Sequence, residues 1–151
     1  MSVKTITLRH GQVVLLDDED YEWLIKFRWH YATNGYIKMK DTRILMHRFI
    51  MGVQDNPNAY VDHINHNPSD NRRSNLRLCT QKQNAANKSP RKNSTSKYLG
   101  VCKIKGWWVA QIRMNGATKC LGRFMDESDA AKAYDTAAKE LYGEFANLNF
   151  V

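Results

Sequence analysis

No run of apolar residues in this sequence approaches the ~18 that a membrane-spanning helix requires, so no such helix is expected. The opening residues, MSVKTITLRHGQ, lack the apolar stretch of a secretory signal, and the protein is expected to stay inside the cell that makes it. Cysteine is scarce: Cys79, Cys102 and Cys120 are odd in number, far apart and free of any C-x-x-C pairing. That pattern argues against a disulfide framework and against a structural zinc site, and leaves three reduced thiols. The most telling absence is of acid. From Lys88 to Met125 there is no Asp or Glu, while Lys88, Arg91, Lys92, Lys97, Lys103, Lys105, Arg113, Lys119 and Arg123 are all basic. A one-signed stretch of that length sets up a positive field suited to phosphates, whereas a merely solvated surface mixes signs.

The residues that are present divide the chain. Its 151 residues, 42% hydrophobic and 25% charged with a formal net charge of +8, suit one medium domain or two small ones. Residues 1 to about 58 read as short strands and one short helix. Thr5–Leu8 and Gln12–Leu16 look like a hairpin about Arg9-His10-Gly11, and Asp17–Phe27 opens with acids and continues as a plausible helix. Tyr36–Met39 and Ile44–Ile50 are strand or helix, and the segment as a whole reads as support for the next one. Residues 59–88 are too polar for a core and too rich in Asn, His, Asp and Arg for a plain loop. The stretch KSPRKNSTSK, almost free of apolar residues, reads as a linker, placed at residues 89–97. Residues 98–151 carry three strand-like runs, parted by Lys105-Gly106 and by Asn115-Gly116. A helix comes next, capped by Asp126 or Ser128 and stopped by Gly143, with Ala130, Ala133, Tyr134, Ala137, Ala138 and Leu141 on one face. The expected fold class is therefore α+β: a first unit with a β-rich N-terminal support, then a three-stranded antiparallel sheet backed by one helix.

The chemistry concentrates in Asp62, His63, Asn75 and Asn84. Asp62 and His63 end a short apolar run, Leu76–Cys79 reads as a second strand, and Thr80 opens TQKQ, a capping box that starts a helix with Asn84 in its first turns. Folding strand, loop, strand and helix back on themselves can bring Asp62 and Asn84 to one point.

The strings MHRFIMG, VDHIN, DNRRSNLRLCT and QNAANK resemble the HNH endonucleases of phages and mobile introns, over about residues 45–88. The resemblance implies a ββα-metal nuclease fold, with residues 1–88 as nuclease domain and N-terminal support. It makes His63 the general base, since a neutral imidazole takes a proton near pH 7. Asp62 and Asn84 become oxygen ligands of one divalent cation, Mg²⁺ or Mn²⁺. Asn75 holds the loop and the His63 strand in register, and Arg72, Arg73 and Arg77 are candidate phosphate clamps. His47, in an apolar run, reads as a packing histidine. His66 stands where this family's turn would have glycine and reads as an exposed loop residue.

Residues 97–150 resemble the plant ethylene-response-factor (APETALA-two) type of DNA-binding domain, on YLGV, WWVAQIRM, CLGRF and the C-terminal helix with its closing LNF. The resemblance implies a sheet laid in the major groove of duplex DNA. Alternation puts Trp108, Ala110, Ile112 and Met114 on the helix side and Trp107, Val109, Gln111 and Arg113 on the other. Gln111 and Arg113 are then placed to read adenine and guanine edges, with Trp107 over sugar or base and Lys103 and Lys105 on phosphates. Leu99, Cys102 and Cys120 depart from the plant pattern and leave the target sequence unread. The chain is thus expected to be a homing-type DNA endonuclease of a phage or mobile element, working in the host cell on double-stranded DNA as a monomer or weak dimer, with no obligate protein partner. The alternative is a DNA-binding regulator whose nuclease site is silent; an RNA-binding module is disfavoured because the deep groove of A-form RNA is closed to side chains.

Overall fold

The computed structural model describes residues 2–86, 94–114 and 116–150. Of the expected linker, residues 89–93 lie outside the described residues, as does Asn115 of the second hairpin turn. The chain divides into two compact units, Met1–Asn84 and Ala85–Val151. The architecture is mixed α and β, built from small antiparallel sheets and four helices among the described residues.

In the first unit, β1 (Val3–Thr7) pairs antiparallel with β2 (Val13–Asp17), the hairpin the alternation predicts. Helix α1 (Asp18–Leu24) starts at once and is shorter than expected. Asp18, Glu19 and Asp20 sit in its first turn, where carboxylates suit the helix dipole. Strand β3 (Trp29–Tyr31) pairs with β4 (Ile37–Met39), and Ile44–Ile50 contains a short helix, α2 (Met46–Ile50). The sequence does not announce β3. A three-residue strand is too short to show a period of two, and Trp29-His30-Tyr31 belongs to no alternating run.

These pieces share one core of Leu8, Val14, Leu16, Leu24, Ile37, Met46, Ile50, Val61 and Leu76. Phe49 gathers the rings around it: Trp23 at 5.1 Å and Phe27 at 5.4 Å between centroids, both edge-on. Val61 and Leu76 bring the next two strands into this core: β5 (Tyr60–His63) and β6 (Leu76–Cys79) are antiparallel, with Asp62 opposite Arg77 and His63 opposite Leu76. Helix α3 (Gln81–Ala86) leaves β6 directly. Its capping box forms as the sequence predicts: the Thr80 backbone N–H donates to Gln83 Oε1 at 2.7 Å and the Gln83 N–H donates back to Thr80 Oγ1 at 3.3 Å.

The second unit is the sheet β7 (Val101–Ile104), β8 (Trp107–Met114) and β9 (Ala117–Phe124), in that order, packed on α4 (Glu127–Tyr142). Lys105 and Gly106 both have positive φ, as a tight hairpin turn of this hand demands. Asp126, not Ser128, caps the helix, its Oδ1 accepting the Ser128 N–H at 2.7 Å. Alanines let α4 close on the sheet: Ala130 and Ala131 pack with Val101 and Ala110, while Tyr134 and Ala138 pack with Ile112. The helix stripe departs from expectation at its end. Leu141 is exposed, and Tyr142 turns inward instead, its hydroxyl donating to the Arg113 carbonyl at 2.5 Å. Met114, expected on the helix side, is also exposed, because the core stops at Ile112. The closing LNF is explained by Asn149. Its amide donates to the Leu99 carbonyl and to Asp135 Oδ1 while its oxygen accepts the Leu99 N–H at 2.7 Å, so the tail is tied to both β7's approach and α4.

Candidate active site and nucleic-acid interface

The polar segment after β5 is ordered by its own side chains. Asn65 Oδ1 accepts the Asn67 N–H and Asn67 Oδ1 accepts the Ser69 N–H, two successive Asx turns. Asn75 stitches the far end back. Its amide donates to the Asp70 carbonyl (2.8 Å) and to Asn65 Oδ1 (2.9 Å), and its oxygen accepts the Asn65 N–H (3.0 Å). The Ile64 N–H donates to the Asn75 carbonyl, which extends the β5–β6 pairing past His63. His66 has φ of 60° and is exposed, so this turn does need left-handed backbone, the reason glycine would be at ease there. The loop is then fastened to β2: the Leu15 N–H donates to the Ser69 carbonyl and the Asn71 N–H to the Leu15 carbonyl.

Inside this frame His63 is 5% exposed. Its Nε2 lies 3.4 Å from Asn71 Oδ1, and Asn71, fully buried, has its amide group engaged with the Pro68 carbonyl. A carboxamide oxygen can only accept, so the contact favours the tautomer with hydrogen on Nε2 and a lone pair on Nδ1. Burial pushes the His63 pKa below its ordinary 6.5, against the opposing pull of Asn71 and of the Asp62 and Asp70 carboxylates. The ring is thus neutral at pH 7. His47 packs 5.0 Å from it and Tyr36 6.0 Å, between centroids. His47 is 4% exposed, and burial, the neighbouring His63 and Arg48 lower its pKa to about 3.

Each of the three arginines read as candidate phosphate clamps holds a carboxylate in this structure. Arg77 Nε and Nη2 both donate to Asp62 Oδ2, at 3.0 and 2.8 Å. Arg72 donates to both oxygens of Asp70 at 2.7 Å, and holds that carboxyl below the usual carboxylate range. Arg73 forks onto Asp20 at 2.8 Å through each nitrogen, while its backbone N–H donates to Asp17 Oδ2. The physical reason is that Asp20, Asp62 and Asp70 are buried, and a buried carboxylate needs a charged, hydrogen-bonded partner. These arginines brace the loop against α1 and β5.

Asp62 therefore sits on β5 beside His63, and Asn84 in the first turns of α3, its N–H bonded to the Thr80 carbonyl. Both offer hard oxygen. Among the described residues no group of three or more His, Cys, Asp or Glu is gathered as a metal cage. By their chemistry a carboxylate and a carboxamide suit a hard cation that keeps several of its waters, and Asp62 Oδ2 already accepts two hydrogen bonds from Arg77. Sequence reasoning does not single out Asn65, Asp70 or Asn71 as site residues, although all three lie in or beside the strings that carry the nuclease resemblance. An asparagine's side-chain partner is set by the fold and leaves no spacing to read.

In the second unit, the sheet face away from α4 carries Trp107 and Ile104, 40% and 50% exposed, with Gln111, Arg113 and Arg123. Trp108 lies on the other face, packed in the helix-side core, and Lys103, directly across from it, holds its Nζ 4.9 Å from the Trp108 ring centroid. Lys103 thus belongs to the helix side, not to the face of Trp107. Lys105 is exposed in the turn. Arg123, opposite Val109, adds a charge to the open face that its strand alone does not reveal. The register slips between Ala110 and Gln111, where β9 carries an extra residue, Leu121, turned to the helix.

The profile of a family described as HNH endonuclease matches residues 52–86, the span from the end of α2 through β5, β6 and α3. An uncharacterized HNH endonuclease of Acanthamoeba polyphaga mimivirus is 38% identical over 130 residues, 82% of this chain and 67% of that protein. The chain is also similar to dehydration-responsive element-binding protein 2A of Arabidopsis thaliana, 48% identical over 61 residues, and to the protein of that name from Oryza sativa, 37% over 87 residues. Those matches take in 38% and 46% of this chain but only 18% and 32% of the plant proteins. No solved structure matches the chain.

Proposed function

Because the chain belongs to the HNH endonuclease family, we propose that it is a homing-type, metal-dependent DNA endonuclease whose first unit cuts and whose second unit reads duplex DNA. The observation that carries the reading is the buried, neutral His63 with Nε2 aimed at Asn71 Oδ1. His63 Nδ1 takes a proton from water as that water's oxygen attacks phosphorus and the P–O3′ bond breaks. Asn71 holds the ring in the accepting tautomer, and Asn75 holds the loop that carries Asn71 and Asp70. Asp62 and Asn84 are the residues that would hold Mg²⁺ or Mn²⁺, which when bound supplies positive charge to the phosphoryl and leaving oxygens. Arg77 orients the Asp62 carboxylate through the two hydrogen bonds to Oδ2. The second unit presents Trp107, Gln111, Arg113 and Arg123 to the major groove, as a sheet of this width can.

Incubation with supercoiled plasmid and Mg²⁺ tests this. The wild type should relax or linearise the plasmid, EDTA should stop it, and His63→Ala should slow it by ~10²–10⁴-fold while binding persists. Cleavage by His63→Ala within a few-fold of wild type removes His63 as the base. A regulator with a silent nuclease site is the second reading, and the observation on its side is the Arg77 fork already across Asp62 Oδ2. No cleavage in Mg²⁺ or Mn²⁺, with tight duplex binding, decides for it.

A further inference from the structure

The first unit has a trough that plays no part in the chemistry around His63. It consists of two adjoining hollows between the end of β1 with its hairpin turn and the β3–β4 hairpin, which share Leu8, Arg9, Trp29 and Lys40. Arg28 and Phe27 line one half, Tyr31 the other. Arg9, Arg28 and Lys40 are exposed, and among the described residues no carboxylate forms a salt bridge with any of them. The one acid among the lining residues is Asp41. Arg72, Arg73 and Arg77 brace buried carboxylates, whereas Arg9, Arg28 and Lys40 gather along one trough with no such partner among the described residues.

Its position supplies one. The β3–β4 hairpin connects the trough to the active site. At one end Tyr36 packs 6.0 Å from the His63 ring, and at the other Lys40 lines the trough. Four residue steps along a strand span roughly 13 Å, which is about four base pairs of duplex rise. We propose that this trough is a second DNA-contact surface, which takes backbone phosphates of the duplex some four base pairs from the bond that His63 attacks. Arg9, Arg28 and Lys40 meet the phosphates, and the exposed edges of Phe27 and Tyr31, 39% and 43% accessible, pack against deoxyribose. The contact reads no sequence. It fixes the angle at which the duplex enters the first unit, and it rests on the endonuclease reading above.

The test compares Arg9→Gln/Lys40→Gln with a control of equal charge, Lys132→Gln/Lys139→Gln on the exposed side of α4, both in the full chain. Duplex affinity is measured from 50 to 300 mM salt, and cleavage on the same DNA. The trough variant should lower the slope of log K against log[salt] by about 1.8, at about 0.9 per phosphate contact, while the control leaves it unchanged. A wild type that binds and cuts, with a trough variant of unaltered slope, overturns the proposal and spares the endonuclease reading. A loss confined to single-stranded DNA, with Tyr31→Ala weakening that binding roughly tenfold as a stacking platform would, also overturns it. A wild type that neither binds nor cuts any DNA overturns the endonuclease reading itself.

Discussion

At the scale of single residues the site is built by opposing one cost with another. His47 shows this most plainly. It is buried against His63 and Tyr36 with Nδ1 unpartnered among the described residues, and its pKa falls to about 3. In the unfolded chain an ordinary histidine titrates near 6.5. Above pH 6.5 His47 is neutral in both states and stability does not depend on it. As pH falls below 6.5 the unfolded chain binds a proton that the folded protein refuses, and stability is lost progressively toward pH 3. Between pH 7.5 and 5.5 this one group should remove about 1.4 kcal/mol. Urea midpoints at pH 7.5, 5.5 and 4.5 measure it. His47→Gln should flatten that acid limb, and an unchanged decline in the variant assigns the pH dependence elsewhere. Arg72 and Arg73 read as phosphate clamps in the sequence because it shows a charge but not its partner. Asp20 lies 53 positions from Arg73, a separation at which no spacing rule operates.

At the scale of elements, two short devices place the chemistry. Helix α3 has six residues and would not persist alone. Its capping box therefore matters for Asn84. Thr80→Ala should cost about 1 kcal/mol of local stability and raise the Mg²⁺ concentration for half-maximal cleavage, with the His63 pH response unchanged; an unmoved metal titration would detach Asn84 from the ion. In the second unit Gly100 has φ of 73°, and a Cβ there would fall 1.9 Å from the Tyr134 ring. Gly100→Ala should destabilise this unit by about 2–4 kcal/mol, read as an early thermal transition, and a transition that does not move would show that the Tyr134 ring can yield. Legibility divides in the same way. The β1–β2 hairpin, the capping box and α4 are readable in the sequence because period and caps are local signals. Strand β3, the inward turn of Tyr142 and the Asn71 contact are not, because each is decided by what lies across the core.

At the scale of the whole molecule, the two parts of the chain carry equal net charge in different arrangements. Residues 1–89 carry 13 basic and 9 acidic residues and residues 90–151 carry 10 and 6, so each part is +4. The distributions differ more than the totals. In the first unit buried acids take up Arg72, Arg73 and Arg77. In the second the acids lie in or beside α4, and the open face of the sheet holds Arg113 and Arg123, neither of them in a salt bridge among the described residues. The loop that carries His63 thus has its arginines offset by carboxylates, whereas the open face of the second unit's sheet keeps Arg113 and Arg123 without such partners among the described residues. If that face reads the site, Arg113→Ala in the full chain should weaken binding by about 1–3 kcal/mol on the preferred sequence and much less on unrelated DNA. Its cleavage chemistry should survive, because Asp62, His63 and Asn84 are untouched. Mapping cut positions on a long DNA separates the two effects: the variant should cut at a similar overall rate at saturating protein but spread its cuts over many more positions. Wild-type and variant maps with the same sites in the same proportions would move recognition into the first unit, where the loop and the β1–β3 trough would then have to discriminate sequence as well as hold the backbone.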